Sequence, residues 1–306
     1  MASIKNQVVI FSDEPGWHGR RLRESFAERG LSAFFVSLDD CEIDLERSDH
    51  GILIPGCSEP LPAGAFVRGI AGGSLEEITL RLDFLHILEQ LGCPVFNAAR
   101  TIERTVDKAM TSLLLRKHDI PTPATFCSRN RESARMYVEQ KLKAGCRLVC
   151  KPLFGSQGKG LVRIETADDL PTAMPGGVFY LQEFVDSAQR PFRDCRVMVI
   201  DDEAIAAMER SSHHWITNRA QGADCRSIPL RDDLAELATR AARAVGAAYA
   251  GVDLLRNEMG EWLVTEVNGI PAWQGLQRAT SVDVTALLTD ALIRRLDQRV
   301  VTRLSG

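Results

Sequence analysis

A glycine loop with an apolar run on either side constrains this chain more than any other feature. The stretch CRLVCKPLF reads as a strand, Gly155, Gly158 and Gly160 fall within six residues of GSQGKG, and GLVRIET then reads as a second strand. A Walker A loop needs G-x-x-x-x-G-K-[ST] opening a helix. Here the order is G-S-Q-G-K-G and a strand follows, so no helix N-terminus is available to seat an anion. Protein kinases also carry a glycine loop between strands, but no H-R-D or D-F-G follows in this chain. Two readings remain. One is a hairpin tip (Gly155, Ser156, Gln157, Gly158, Lys159, Gly160) whose backbone N–H groups close over phosphates. The other is a structural turn that happens to be rich in glycine.

Composition narrows the class. The 306 residues carry 37 Lys and Arg against 41 Asp and Glu, a net charge of -4, with 45% hydrophobic residues. That is ordinary for a globular chain of two or three domains. The balance offers no basic face for nucleic acid, and the arginines of HGRRLRESFAERG and IRRLDQR alternate with acids on solvated helix faces. No run of 18 apolar residues predicts a membrane span, and MASIKNQVVIF lacks the apolar core of a signal peptide. The eight cysteines include no C-x-x-C, and Cys146 and Cys150 read as small core residues on one face of a strand. Together these features predict a reduced, cytoplasmic protein.

The first hundred residues alternate strand and helix: QVVIFS, GWHGRRLRESFAERG closed by Gly30, LSAFFVSL, GILIPG, GAFVRGI, a helix with Leu75, Ile78, Leu82, Leu85 and Leu88 at helical spacing, and CPVFN. This predicts an α/β layer with a mostly parallel sheet. It has no G-x-G-x-x-G after the first strand, so a dinucleotide site is not expected. Further on, TVDKAMTSLLLRKHDI reads as one amphipathic helix, ended by the prolines of PTPATF. RESARMYVEQKLKAG and RDDLAELATRAARAVGA read as helices, and GVFYLQEFV as a strand. DCRVMVIDDEAIAAMER reads as a hairpin turning at Asp201–Asp202, AGVDLLRNEMGEWLVTEVNG as a second hairpin, and the tail as a helix.

Several residues accompany the glycine loop. Lys151 ends the strand entering it, and Lys108 starts an earlier helix; two lysines near one polyphosphate would offset its charge. Glu266 and Asn268 alternate along one strand and share a face, with Asp253 on the partner strand. Two carboxylates and an amide carbonyl suit Mg²⁺ held jointly with substrate phosphates, although an isolated E-x-N also fits a polar strand end. Adjacent His213 and His214 point opposite ways on a strand, which argues against a shared metal. His18, after the first strand, and Arg68 in VRG stand at the substrate side of an α/β layer, Arg68 as a candidate for an acidic substrate.

In order, DKAMTSLLLRKHDIPTPAT, KPLFGSQGKGLVRI, QEFV, DCRVMVI, AAMER, AGVDLLR and EVNGIPAWQGLQ resemble the ATP-grasp superfamily, and within it the RimK-like carboxylate–amine ligases, over about residues 97–285. The resemblance implies an ATP-grasp fold of α/β and α+β layers. Its parts would be an N-terminal preATP-grasp domain (1–97), a central lid domain (98–182) and a C-terminal catalytic domain (183–306). It implies that Lys108 and Lys151 contact ATP phosphates under the glycine loop. Gln182, Glu183, Phe184 and Val185 would form the strand that meets adenine, largely through backbone groups. Asp194 would approach the ribose, Arg196 the phosphates, and Arg210 the reaction centre. Asp253, Glu266 and Asn268 would hold one or two Mg²⁺, with Mn²⁺ as a substitute. Asn218 matches an Asn of the family's R-S-N stretch, but Ile216 and Thr217 replace its Arg and Ser.

The implied activity is ATP-dependent amide formation through an acyl phosphate, joining an amino acid such as glutamate to a small carboxylate or amine acceptor. A homo-oligomer is compatible with the resemblance. The ending EVNGIPAWQGLQ departs from the E-V-N-A-S-P-G-L-E-G of the ligases that add glutamate to a ribosomal protein. It is more similar to relatives serving tetrahydromethanopterin or methanofuran synthesis, with Trp273 either stacking on an aromatic acceptor or simply packing. An ATP-grasp phosphotransferase and a catalytically silent nucleotide-binding regulator remain as alternatives.

Overall fold

The computed structural model describes residues 6–47, 49–57, 61–186 and 190–304. Three main sheets organise them. The first is formed by β1 (Gln7–Phe11), β2 (Ser32–Val36), β5 (Gly64–Val67) and β6 (Val95–Phe96) in the order β2-β1-β5-β6, all parallel. A small β3 (Glu42–Ile43) and β4 (Ile52–Leu53) pair lies beside it. Beyond the exposed Gln7 and Ser32 at their starts, the strands of the parallel sheet are apolar because both faces are covered. Phe84, Leu85 and Leu88 of α2 (Leu75–Gln90) pack with Val9 and Phe11 on one face. Leu22 and Phe26 of α1 (Gly16–Glu28) pack with Val8 and Ile10 on the other.

Next come α3 (Ala99–Val106) and α4 (Lys108–Lys117), where the sequence predicts a single helix. Asp107 breaks it. Its carboxylate accepts from the N–H groups of Ala109 (2.8 Å) and Met110 (3.0 Å), and this N-cap starts α4 afresh. Lys108 therefore stands at the first position of a new helix. The second sheet, antiparallel in the order β7-β10-β8-β9, contains β7 (Thr125–Ser128), β8 (Leu148–Lys151), β9 (Val162–Ile164) and β10 (Phe179–Glu183). Ala134 and Val138 of α5 (Arg131–Lys143) seal one face. The glycine loop links β8 to β9. Cys150 is buried in β8, whereas Cys146 lies in the turn ahead of it, so the two do not share a strand face.

The third sheet has the order β13-β12-β11-β14-β15 and is also antiparallel. Its strands are β11 (Phe192–Ile200), β12 (Glu203–Ser212), β13 (Asp224–Ile228), β14 (Tyr249–Arg256) and β15 (Trp262–Asn268). The β11–β12 hairpin turns through Asp201 and Asp202 at φ +50° and +65°, the left-handed pair of a tight two-residue turn. Along β11 the side chains alternate. Val197 and Val199 meet Ala238 and Ala241 of α6 (Asp232–Val245), while Met198 and Ile200 face the first layer. Between sheet and layer sit α7 (Gln274–Ala279) and α8 (Val284–Leu304), the latter packing Leu288 and Leu292 against α1.

Asn97 ties first layer to third sheet. Fully buried, it donates to the carbonyls of Tyr249 and Gly269 (both 2.7 Å) and accepts from the N–H groups of Ala248 (2.8 Å) and Tyr249 (3.2 Å). All four bonding positions of the amide are thus used. No helix among the described residues is long and apolar enough to cross a membrane.

Candidate active site

Cross-strand register builds the floor of the site. Asp194 and Arg196 lie two apart on β11 and point to one face. Across the sheet Asp194 faces Arg210 on β12, Arg196 faces Asp253 on β14, and Asp253 faces Glu266 on β15. Asn268 follows Glu266 on the same face. The result is a buried charge network. Arg210 grips Asp194 through two bonds (2.7 and 2.6 Å), Arg196 grips Asp253 through two more (both 2.6 Å), and Arg210 also reaches Asp253 at 3.1 Å. Thr217 adds its hydroxyl to Asp194 at 2.8 Å. Burial opposes ionisation of Asp253, but Arg196 and Arg210 prevail and hold its carboxyl down at about 2. Both carboxylates are thus ion-paired without a ligand.

The roof comes from the second sheet. Lys151 donates to the side-chain carbonyl of Gln182 at 2.6 Å, and the Gln182 amide donates to Tyr180 (3.1 Å) and Thr125 (3.3 Å). Gln182 therefore acts here through its side chain, positioning Lys151, where the sequence suggested mainly backbone. The N–H groups of Glu183 and Phe184 are bonded to the carbonyls of Ala124 and Arg147 (both 2.8 Å). Phe184 lies edge-on to Trp215 and beneath the Arg163 guanidinium, 4.6 Å from its ring centre. Lys108 donates to the loop carbonyl of Gly155 at 2.7 Å and stands 4.0 Å from Glu266.

Between floor and roof lies a cavity of ≈ 150 Å³. Its walls include Lys108, Lys151, Gly155, Ser156, Gln157, Gly158, Lys159, Gln182, Glu183, Phe184, Val185, Asp194, Arg210, Asn218, Asp253 and Glu266. Gly160 (φ +72°) closes the loop just outside it, and Arg196 and Asn268, on the same sheet face, fall outside its lining. Trp215 and Arg256 also line it and were not singled out by sequence, since they sit on irregular or strand-end segments; Ile216 and Thr217, the departures from the family's R-S-N stretch, line it too.

Burial pushes the Lys151 ammonium down to about 8, with Lys108 adding to the effect and Glu266 opposing it. Below that pH Lys151 is charged and ready for phosphate; above it, binding an anion must take up a proton. The Kd for Mg-AMPPNP is therefore expected to rise with pH from 8 to about 9.5, by up to about tenfold per unit, with proton uptake visible by calorimetry in buffers of differing ionisation enthalpy. A Kd that stays flat over that range would contradict the assignment.

A second cluster lies at the junction of first layer and third sheet. His18 Nε2 accepts from the N–H groups of Trp273 and Gln274, both at 3.2 Å, and its ring meets Trp273 edge-on at 4.6 Å. Burial, with Arg68 and Arg219 nearby, lowers the imidazole to about 4, so it stays a neutral acceptor. Arg68 lies over the Trp273 ring (4.9 Å) and donates to the Pro271 carbonyl at 3.2 Å. Trp273 is only 1% exposed and its indole N–H bonds Thr285 at 3.0 Å, so it is a core side chain rather than an open stacking platform. His213 is exposed, and the His214 ring accepts from the N–H of Ile216 at 3.2 Å.

Residues 105–292, more than half of the chain, match the model of the RimK-like ATP-grasp domain. The chain belongs to the RimK-like ATP-grasp family. It is 33% identical over 297 residues to the tetrahydromethanopterin:alpha-L-glutamate ligase of Methanococcus maripaludis, spanning 93% of this chain and 97% of that one. It is 31% identical over 214 residues to the alpha-aminoadipate–LysW ligase LysX of Saccharolobus solfataricus, spanning 67% and 76%. The fold is similar to that of the ATP-grasp ligase PsnB, solved with a precursor variant, Mg and ADP (TM-score 0.75, 23% identity, 96% of this chain and 100% of that one). As a RimK-like ATP-grasp enzyme the protein is an ADP-forming ligase that makes amide bonds, and enzymes of this fold use ATP and Mg²⁺.

Proposed function

We propose that this ligase adds L-glutamate to a carboxylate of a small one-carbon carrier of the tetrahydromethanopterin type. The observation that carries the reading is the His18–Arg68–Arg219 cluster beside the nucleotide cavity. Among the described residues neither Arg68 nor Arg219 has a carboxylate partner: Arg68 bonds a carbonyl and a ring, Arg219 the side-chain carbonyl of Gln274 at 3.3 Å. Guanidinium groups left without acid partners are suited to substrate carboxylates. Relatives that cover nearly all of the chain are named for glutamate transfer to tetrahydromethanopterin, which supports the same acid–amine pair.

Arg196 links the two regions, since its side chain passes Gly251 beside Pro271 on the way to Asp253. In this reading Lys108 and Lys151 exchange Gly155 and Gln182 for phosphate oxygens. Arg210, fixed by Asp194, faces the charge that develops on the transferred phosphoryl group and on the carbonyl oxygen under attack. The strand-end groups at Phe184 and Val185 meet adenine. Among the described residues Glu266 has no closer ion-pair partner than Lys108 at 4.0 Å, and it lines the cavity beside Asp253 with Asn268 next along the same face, so this all-oxygen set fits Mg²⁺, or Mn²⁺ in its place, shared with phosphates. Such an ion would neutralise phosphate charge during transfer. The described cysteines are all free, which suits a reducing cytoplasm.

The test is incubation with Mg-ATP, L-glutamate and tetrahydromethanopterin. ADP release that needs both substrates, with a product heavier by one glutamyl residue, is expected. A phosphorylated acceptor without amide would instead establish a phosphotransferase, and nucleotide binding without ADP release from any acid–amine pair a silent regulator.

A further inference from the structure

The loop Gly155–Gly160 is held without any ligand by the turn 217–222, whose Thr217 and Asn218 line the cavity and whose Gln221 stands outside that lining. Gln221 donates its side-chain amide to the carbonyls of Gln157 and Gly158, both at 3.0 Å. Gly158 nests against the same turn: a Cβ there would lie 2.6 Å from Asn218 Oδ1 and 2.6 Å from Ile216 Cγ2, and its φ of +70° disfavours any other residue. From the opposite side Lys108 holds the Gly155 carbonyl. The turn is itself anchored. Thr217 bonds Asp194 in the buried charge network, the N–H groups of Gln221 and Gly222 close back on the carbonyls of Asn218 and Arg219 (both 2.9 Å), and Gly222 at φ +90° ends the turn. In this arrangement the cavity measures ≈ 150 Å³, below the roughly 300–1,000 Å³ of small-molecule sites, which fits a loop that moves outward to admit a nucleotide.

We propose that residues 217–222 form a strap that sets the closed position of the glycine loop, with Gln221 its positioning residue. The loop's own backbone carbonyls carry no side-chain information, so a donor on a fixed neighbouring turn is what gives the closed state one defined position. Lys108 leaves Gly155 when phosphate arrives, whereas Gln221 points at the outer carbonyls and keeps its bonds through the reaction. Arg219, on the same turn, bonds Gln274 beside the His18–Arg68 cluster, so the strap reaches from the glycine loop to the proposed carboxylate region. The nucleotide arm of this inference rests on the ligase reading; the loop-closing arm does not.

Gln221→Glu keeps the shape and removes both donors, and Gln221→Arg restores donors. Hydrogen exchange over residues 153–160 and the Kd for Mg-AMPPNP are measured on the full chain with each variant. Loss of two hydrogen bonds is expected to speed loop exchange and weaken Mg-AMPPNP by about tenfold in Gln221→Glu. Gln221→Arg should recover most of both effects, and the melting temperature should stay constant because Gln221 is exposed. Unchanged loop exchange in Gln221→Glu, or no recovery in Gln221→Arg, would overturn the strap. Failure of the wild-type protein to bind Mg-AMPPNP would instead overturn the nucleotide reading, and exchange in the nucleotide-free protein would still decide the strap.

Discussion

Glu266→Gln is expected to lower kcat by about 10²–10³-fold while leaving the melting temperature almost unchanged. The two effects separate because the proposed reading gives Glu266 a part in the chemistry, while its few contacts give it little part in folding. Its carboxylate is 30% exposed, and its one ion pair among the described residues is with Lys108, at the 4.0 Å limit. Losing that contact costs no more than about 0.5 kcal/mol. What disappears is a carboxylate lining the cavity, which in the proposed reading attracts a cation shared with phosphates. Raising Mg²⁺ should therefore recover part of the activity of Glu266→Gln. Wild-type kcat in this variant, measured as ADP release, would remove Glu266 from the metal site.

Arg210→Ala is expected to lose both activity and stability. The guanidinium is buried with 4% of the residue exposed, and burial disfavours its charge, yet Asp253 and Asp194 outweigh that and raise its pKa. Removing it strands the buried Asp194 and leaves Asp253 with Arg196 alone, at a cost of about 3–5 kcal/mol. A denaturant titration should show the midpoint shift at constant slope. Combining Arg210→Met with Asp194→Leu should restore part of the stability but none of the activity, because an apolar pair removes the stranded charge. If Arg210→Ala unfolds within about 1 kcal/mol of wild type, the network is not the closed buried unit described above.

The parts legible in the sequence were those with local pattern. The glycine loop announced itself through composition and the strand after it, and Glu266 and Asn268 through alternation along one strand. The parallel first layer followed from alternating apolar runs. Lys108 was found but its setting was not, since the helical periodicity continues across Asp107 and only the cap geometry shows the break. The Arg196–Asp253 and Asp194–Arg210 pairs depend on strand register, which joins residues 57 and 16 apart in the chain and leaves no local trace. The short α7 and β13 fell below the length at which periodicity speaks. Gln221, Arg219 and Thr217 sit on an irregular turn, where function rests on the direction of single side chains.

The central claim is that a substrate carboxylate is activated by direct phosphoryl transfer and then captured by an amine. It is tested most directly by supplying one substrate with both oxygens of its reacting carboxylate labelled with ¹⁸O. Transfer through an acyl phosphate predicts one labelled oxygen in the released inorganic phosphate for each amide formed. Amide formation with unlabelled phosphate, whichever substrate carries the label, would contradict the account.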